Sequence, residues 1–143
     1  MSVRVRRLRL ADYPAILVLA KASDLPLRPR GRESRPAFAR QLRSNRTWYL
    51  GAFDGERLVG MVLGTHDSRK GWINRLAVHP DYRRRGIGRR LVRACERALH
   101  RVGIEMFAAL IEEDNESSAV FFRSLGYETT RLWYARHRLR KDI

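Results

Sequence analysis

The sequence predicts a mixed α/β domain with helices on the faces of one central sheet. Two strand-like runs flank an Asp54-Gly55 pair, which is typical of a β-hairpin. Residues 87–102 carry apolar side chains at helical spacing, and apolar runs lie on either side, at 72–78 and 106–111. We therefore expect this helix to be the crossover between two parallel strands.

The first half of the chain alternates strand and helix signals. Asp12 is expected to cap a helix that ends near Ala22. Ser34 or a neighbour is expected to cap a second helix that ends near Asn45, after a loop that contains proline and glycine. The predicted strands of this half lie at 3–8, 47–53 and 57–64.

The second half supplies the parallel pair and two helices. Gly103 is expected to end the crossover helix. The predicted elements are a strand at 72–78, a helix at 87–102, a buried strand at 106–111, a helix at about 116–125 and a final strand at about 127–139. The length of 143 residues suits one domain, so we expect a single domain over 1–143.

Composition favours a globular protein without a membrane span. Hydrophobic residues make up 44% of the chain, yet no apolar run approaches the roughly 18 residues that cross a bilayer. Arginines interrupt the first ten residues, which argues against a secretory signal, so a cytoplasmic location is expected. The single Cys95 is interpreted as a small buried side chain, and the scattered histidines predict no metal site.

The net charge of +15 arises from 30 basic and 15 acidic residues. Such an excess favours anionic partners, among them a polyphosphate cofactor, an acidic substrate, nucleic acid or a ribosomal surface. The alternative is a set of solvated faces in a protein from an arginine-rich proteome.

A glycine-rich segment at the start of the 87–102 helix predicts an anion-binding site. Gly86 and Gly88 lack a β-carbon, so backbone N–H groups can face a ligand at the positive end of the helix dipole. Five arginines, at 83, 84, 85, 89 and 90, suit a polyphosphate. A dinucleotide fingerprint and an NTPase phosphate loop are excluded, because the third glycine and the Gly-Lys-Ser/Thr they require are absent.

Two motifs carry a resemblance to a known family. The pattern Arg83-x-x-Gly86-x-Gly88 follows residues 76–80, Leu-Ala-Val-His-Pro, and resembles the acetyl-CoA signature of the GNAT superfamily of N-acetyltransferases. The segment from Asn115 to Tyr127 is similar to a second GNAT pattern. The resemblance covers essentially the whole chain. It implies a mostly antiparallel sheet with two splayed parallel strands that form the acetyl-CoA cleft.

The resemblance also implies which residues bind acetyl-CoA. The pantetheine arm would lie along the strand edge at Leu76, Ala77 and Val78. The pyrophosphate would rest on the amides of 84–89, with arginines as ionic partners. Asn115 would bind the arm across the cleft, although a helix N-cap is the competing interpretation. The full implied set is Leu76, Ala77, Val78, Arg83, Arg84, Arg85, Gly86, Ile87, Gly88, Arg89, Arg90, Asn115 and Phe122.

Family chemistry implies direct acetyl transfer to an amine, with the backbone N–H near Val78 stabilising the oxyanion. Phe122 stands where many members place a tyrosine that protonates the departing thiolate. Tyr127 or Tyr134, water, or unassisted departure are the alternatives, and the two tyrosines are otherwise read as core aromatics.

The general base is equally open. Asn74 and Arg75 occupy the strand where relatives often carry a carboxylate. Glu112, Glu113 or Asp67 acting through water are the candidates, and His79 is interpreted as a loop residue.

Two functions follow from these features. The first is an acetyl-CoA-dependent N-acetyltransferase that acts on a primary amine of a small molecule, a peptide N-terminus or a lysine. The alternative is a non-catalytic module of the same fold that binds nucleic acid or a ribosome through its arginine-rich surface, as Phe122 and the net charge suggest. A monomer and a homodimer are both compatible with the sequence.

Overall fold

A computed structural model describes residues 2–143 as a five-stranded sheet with helices on both faces. The strands are β1 (Val3–Arg7), β2 (Thr47–Asp54), β3 (Arg57–His66), β4 (Gly71–Val78) and β5 (Phe107–Ala108), in chain order across the sheet. The helices are α1 (Tyr13–Ala22), α2 (Arg35–Arg43), α3 (Ile87–Arg101) and α4 (Glu116–Ser124). Strands β1 to β4 pair antiparallel and β5 pairs parallel to β4, which confirms the predicted mixed sheet.

Apolar side chains point alternately to the two sides of the central strands, so both faces of the sheet are apolar. Leu50 and Val62 face α3 and α4, whereas their neighbours Tyr49 and Met61 face α1 and α2. Because successive strand residues point to opposite faces, each central strand contributes to both cores. Within residues 2–143, no helix is long and apolar enough to span a membrane.

Local signals placed the hairpin and most helix ends correctly. Asp54 and Gly55 lie at the turn between β2 and β3, and the Ser34 hydroxyl accepts a hydrogen bond from the Ala37 N–H, as an N-cap does. The prediction for Asp12 was wrong in its detail. Its carboxylate makes no cap bond to α1, because Arg6 and the Arg9 N–H bind it instead.

The parallel strands β4 and β5 separate after a short ladder. Pairing joins Gly71 with Phe107 and Trp72 with Ala108, and β4 then continues to Val78 with β3 still paired on one side and no strand on the other. The predicted strand at 106–111 is therefore shortened to two residues, since a strand needs a neighbour for its ladder. The separation opens a cleft beside the last residues of β4, as expected for splayed strands.

The predicted final strand at 127–139 is absent, which is a correction to the sequence analysis. This segment pairs with no strand, and residues 128–142 are exposed. Aromatic and β-branched residues give it strand propensity, but propensity alone forms no ladder when the chain brings no partner alongside.

Candidate active site

The opening of α3 has the geometry of an anion site. Gly86 is the N-cap residue with φ of 75°, a left-handed conformation that favours glycine. A β-carbon added there would meet no atom within 4 Å, so the space above the helix opening is clear. The first helical bond runs from the Arg90 N–H to the Gly86 carbonyl, which leaves the N–H groups of residues 87–89 without acceptors in the helix.

Gly88 brings this helix opening against two other elements. A β-carbon added at Gly88 would lie 3.3 Å from Cζ of Phe121 on α4 and 3.8 Å from Cγ2 of Val78 at the end of β4. The first distance is too short for an ordinary contact, so glycine is the residue that allows the three elements to meet. The opening of α3 and the free edge of β4 thus lie side by side.

The backbone of Val78 faces the cleft. The His79 N–H donates to the Val59 carbonyl on β3, 2.8 Å away. Successive N–H groups of a strand point to opposite edges, so the Val78 N–H is directed to the edge that β5 has left. Leu76 and Ala77 precede it on the unpaired part of β4.

The turn before the helix opening is anchored to the β2–β3 hairpin. The Tyr82 hydroxyl donates to Asp54 at 2.6 Å, and this bond raises the pKa of Tyr82. His79, interpreted from the sequence as a loop residue, lies between β4 and α3, where its Nδ1 accepts from the Asp81 N–H. These bonds hold the turn in place between β4 and α3.

The five arginines do not all face the same way. Arg83, Arg84 and Arg89 are exposed near the helix opening, and Arg85 lies 5.1 Å from the ring centre of Tyr82. Arg90 instead donates to the Val3 carbonyl of β1 at 2.7 Å. Its guanidinium is therefore engaged with the opposite edge of the sheet, and sequence spacing along a helix did not reveal that contact.

Asn115 is the N-cap of α4. Its carboxamide oxygen accepts from the Ser118 N–H at 3.2 Å, so the amide NH₂ group is the part of the side chain that remains for a ligand. The competing interpretations are therefore compatible with each other. Glu112 and Glu113 precede Asn115 in the exposed connection from β5, where Glu113 lies 3.5 Å from Arg131.

The two aromatic residues of α4 have different surroundings: Phe122 lies in the core, and Phe121 lies beside Gly88 at the opening of α3. Phe122 is 5% exposed, and its ring packs edge-on against Phe121 and Tyr127. Phe121, one residue earlier, is the ring beside Gly88. The sequence analysis named Phe122 from the family pattern and did not name Phe121. The only sequence signal for Phe121 is that it is apolar and adjacent to Phe122.

The proposed proton-transfer groups have clear partners. The Tyr127 hydroxyl donates to Glu96 on α3 at 2.6 Å, and burial together with this bond raises its pKa well above the usual value. Asp67 accepts from the Arg69 and Lys70 N–H groups in the β3–β4 turn, and these bonds lower its pKa to about 2. A carboxylate with such a pKa is a weak base.

Tyr134 lies in the exposed segment after α4 and is not a core aromatic.

A carboxylate that the sequence analysis did not single out reaches β4 from the loop between the first two helices. Glu33, in the connection between α1 and α2, forms an ion pair with Arg75 of β4. The Arg28 N–H also donates to Glu33, and the Tyr13 hydroxyl donates to its backbone carbonyl at 2.6 Å. Burial raises the pKa of the adjacent Tyr49 to about 12. No sequence spacing signals this cluster, because its members lie on four separate elements.

Comparison of the sequence with known proteins shows which family this chain resembles. The profile of the acetyltransferase (GNAT) family matches residues 5–127. An acetyltransferase of Pectobacterium atrosepticum is 32% identical over 127 residues, which is 89% of each chain. One of Yersinia pseudotuberculosis is 30% identical over the same shares of both chains.

Solved structures agree in fold. The enzyme AAC(6')-Iy, in complex with a CoA-linked bisubstrate analogue, superposes with a TM-score of 0.82 at 17% identity, covering 96% of this chain and 99% of its own. The PaiA N-acetyltransferase of Thermoplasma acidophilum, in complex with coenzyme A, superposes with a TM-score of 0.80 at 20% identity, covering 91% and 92%.

Proposed function

This chain belongs to the GNAT family of acetyltransferases, and on that premise we propose that it transfers an acetyl group from acetyl-CoA directly to a primary amine. The observation that carries the proposal is the contact at Gly88. It places the open N–H groups of α3 beside Val78, whose own N–H points into the cleft between β4 and β5.

The residues around α3 suit the diphosphate of the donor. The N–H groups of residues 87–89 point out of the helix opening, the left-handed Gly86 leaves their approach clear, and the helix dipole favours a negative charge there. Arg83, Arg84, Arg85 and Arg89 add positive charge around the opening. Arg90 serves to hold α3 to β1 instead.

The unpaired edge of β4 suits the amide-rich arm of the donor. Backbone groups of residues 76–78 have no neighbouring strand on that side, so they can bind an extended chain of amides as an added strand would. Asn115, from the opposite side of the cleft, has its NH₂ group to donate to the same arm. Phe121 closes the cleft near Gly88.

The chain promotes the reaction by holding the two substrates together and by stabilising charge. The amine nitrogen attacks the thioester carbonyl carbon and forms a carbon–nitrogen bond. The carbon–sulfur bond of the thioester then breaks, and the thiolate of coenzyme A leaves with the bonding electron pair. The Val78 N–H stabilises the charge that develops on the carbonyl oxygen, since a fixed dipole in a dry cleft needs no reorganisation.

The thiolate leaves without a proton from Tyr127, whose hydroxyl is bound to Glu96. The amine loses its proton to water, because backbone N–H groups already bind Asp67 and lower its pKa. Glu112 and Glu113 stay as candidates to accept that proton through water.

The acceptor is a primary amine on a small molecule, a peptide N-terminus or a lysine. The ion pair of Glu33 with Arg75 ties the α1–α2 connection to β4, the strand that carries Val78, so this loop is expected to set acceptor selectivity.

Release of free coenzyme A, measured with a thiol reagent over a library of amines and peptides, tests this function. We expect release that depends on both acetyl-CoA and one class of amine. If calorimetry at modest ionic strength detected no binding of acetyl-CoA, the proposal would be refuted.

A further inference from the structure

The second part of the α1–α2 connection carries more positive charge than its own carboxylate can balance. Residues 25–34 contain three arginines and one acidic residue, Glu33. Glu33 is already bound by Arg75 of β4 and by the Arg28 N–H. Arg32 reaches the same carboxylate only at 3.7 Å, with 55% of its side chain exposed. The guanidinium groups of this loop are therefore open to a further anion.

Hydrogen bonds hold the backbone of Arg28 in place relative to β4. Its carbonyl accepts from the Gly31 N–H at 2.9 Å and from the Glu33 N–H at 3.0 Å. Its own N–H donates to the Glu33 carboxylate at 3.0 Å, and Arg75 binds that carboxylate from β4. Arg28 is thus connected, through Glu33, to the strand that carries Val78.

The end of the chain lies against this loop and adds to its charge. The Arg140 guanidinium donates to the Arg30 carbonyl at 3.4 Å. A β-carbon added at Gly31 would lie 2.8 Å from Cα of Ile143, so glycine permits the close approach of the two segments. Residues 131–141 contain five basic and no acidic residues. Two positively charged segments therefore meet at this loop.

Four arginines from the two segments, here called the arginine cluster, are close enough to repel one another: Arg28, Arg32, Arg136 and Arg138. The charge of Arg136 is the main cause of a lowered pKa of Arg138. Burial and the charges of Arg28 and Arg32 lower it further. Within residues 2–143, no carboxylate forms an ion pair with Arg28, Arg136 or Arg138. A bound anion would remove this repulsion.

We propose that the acceptor carries a phosphate or a carboxylate in addition to its amine, and that the arginine cluster binds this anionic group. The inference rests on the proposed function, because it identifies the class of amine that the acetyltransferase takes. Guanidinium groups bind phosphate and carboxylate oxygens through paired N–H donors, so arginines from two segments can surround one anion. The connection of Arg28 to β4 fixes the position of that anion relative to Val78.

Release of coenzyme A from matched amines tests the substrate class. The probes are 2-aminoethyl phosphate, β-alanine, ethanolamine and ethylenediamine, in which the amine is joined to a phosphate, a carboxylate, a neutral group and a positive charge. We expect kcat/KM for at least one anionic amine to be at least about tenfold above that for ethanolamine. The two anionic probes distinguish a phosphate from a carboxylate.

The same assay separates failure of this inference from failure of the proposed function. Release of coenzyme A with ethanolamine or ethylenediamine at a kcat/KM equal to or above that of both anionic amines would overturn the inference and leave the acetyltransferase function intact. Absence of acetyl-CoA binding in calorimetry would refute the function, and the inference with it.

A pair of double variants tests the arginine cluster itself. Arg28→Gln with Arg138→Gln removes two of its charges, and Arg40→Gln with Arg43→Gln removes two exposed charges from α2 as the matched control. We expect the first variant to reduce the preference for the anionic amine over ethanolamine at least about tenfold, through a higher KM for the anionic amine, and the control to keep it. Circular dichroism checks folding, and calorimetry checks that both variants bind acetyl-CoA as the parent does. Equal losses in the two variants would show that net charge is responsible and would overturn the proposal.

A gel shift with a single-stranded RNA oligonucleotide examines the competing anion. If Arg28→Gln with Arg138→Gln abolished RNA binding and left the preference among the amines unchanged, the arginine cluster would be a nucleic-acid site and the proposal would be overturned. A preference for the anionic amine that is lost in this variant, with RNA binding the same in both double variants, supports the proposal.

Discussion

Arg75 on β4 and Glu33 in the α1–α2 connection form an ion pair whose carboxylate side chain is 9% exposed. Arg75 has a φ of 54° at the irregularity in the β3–β4 pairing, so an unusual backbone position directs its guanidinium to the loop. This pair ties the α1–α2 connection to the strand that carries Val78.

Removing one member of this pair should destabilise the protein strongly. Glu33→Ala leaves Arg75 without its carboxylate and the Arg28 N–H without its acceptor, so we expect the free energy of unfolding to fall by roughly 3 kcal/mol. Urea denaturation measures the change. The double variant Glu33→Leu with Arg75→Met should lose less than Glu33→Ala, because no buried charge remains unpaired. Equal losses in the two proteins would contradict this account.

Charge at the opening of α3 should decide acetyl-CoA affinity. Gly86→Asp places a carboxylate in the open space above the helix, and we expect calorimetry to show affinity at least about tenfold below that of Gly86→Asn. Asparagine has the same shape and tolerates the left-handed conformation, so the comparison isolates the charge. Gly103→Asp, at a similarly open left-handed glycine beyond the other end of α3, is the distant control. Equal affinities for Gly86→Asp and Gly86→Asn would show that the anion binds elsewhere.

The ion pair of Asp12 with Arg6 should make stability depend on pH in the acidic range. The two hydrogen bonds from Arg6 are the main cause of a lowered pKa of Asp12. The unfolded chain, with the ordinary value of 3.8, then takes up the proton more readily than the folded chain. The stabilisation is thus complete well above pH 3.8 and is lost as the pH falls through the lower folded value.

The Asp12→Asn protein checks this sign. We expect it to be about 1 kcal/mol less stable than the parent at pH 7, and the difference to shrink as the pH falls below about 4. Urea denaturation across this range measures it, and Glu56→Gln, in the exposed β2–β3 turn, corrects for the lost surface charge. A difference that stays constant down to acidic pH would rule out the linkage.

Gly64 and Cys95 should behave as one packing unit. A β-carbon at Gly64 would collide with Sγ of Cys95, so Gly64→Ala is expected to lower the free energy of unfolding by about 2 kcal/mol. Cys95→Ala in the same chain removes the colliding atom and should restore part of that loss. Thermal denaturation of both variants and the double variant measures the coupling, and additive effects would refute it.

The same burial should keep Cys95 unreactive. It raises the pKa of the thiol to about 12, which leaves little thiolate at neutral pH. A thiol reagent should therefore label the unfolded chain and leave the folded one unlabelled at pH 7. Rapid labelling of the folded protein would show that the site opens.

Local sequence signals located the elements whose cause is local. The Asp54-Gly55 turn, the Ser34 cap and the apolar spacing of α3 each depend on residues within a few positions of one another. The helix opening at Gly86 is of the same kind, because glycine permits the left-handed conformation without help from distant residues. These features, with the two GNAT-like motifs, were enough to predict the fold class and the family.

The amino-acid sequence by itself thus determined the mixed sheet, the crossover helix, the glycine that opens this helix and the buried Cys95. Only the tertiary structure decided that β5 pairs over two residues, that residues 127–139 form no strand, and that Arg90 turns to β1. It also brought Glu33 to Arg75 and Phe121 to Gly88. The physical reason is that helical spacing and turns are set by neighbours in the chain, whereas ladders, ion pairs and close packing depend on which distant segment arrives alongside.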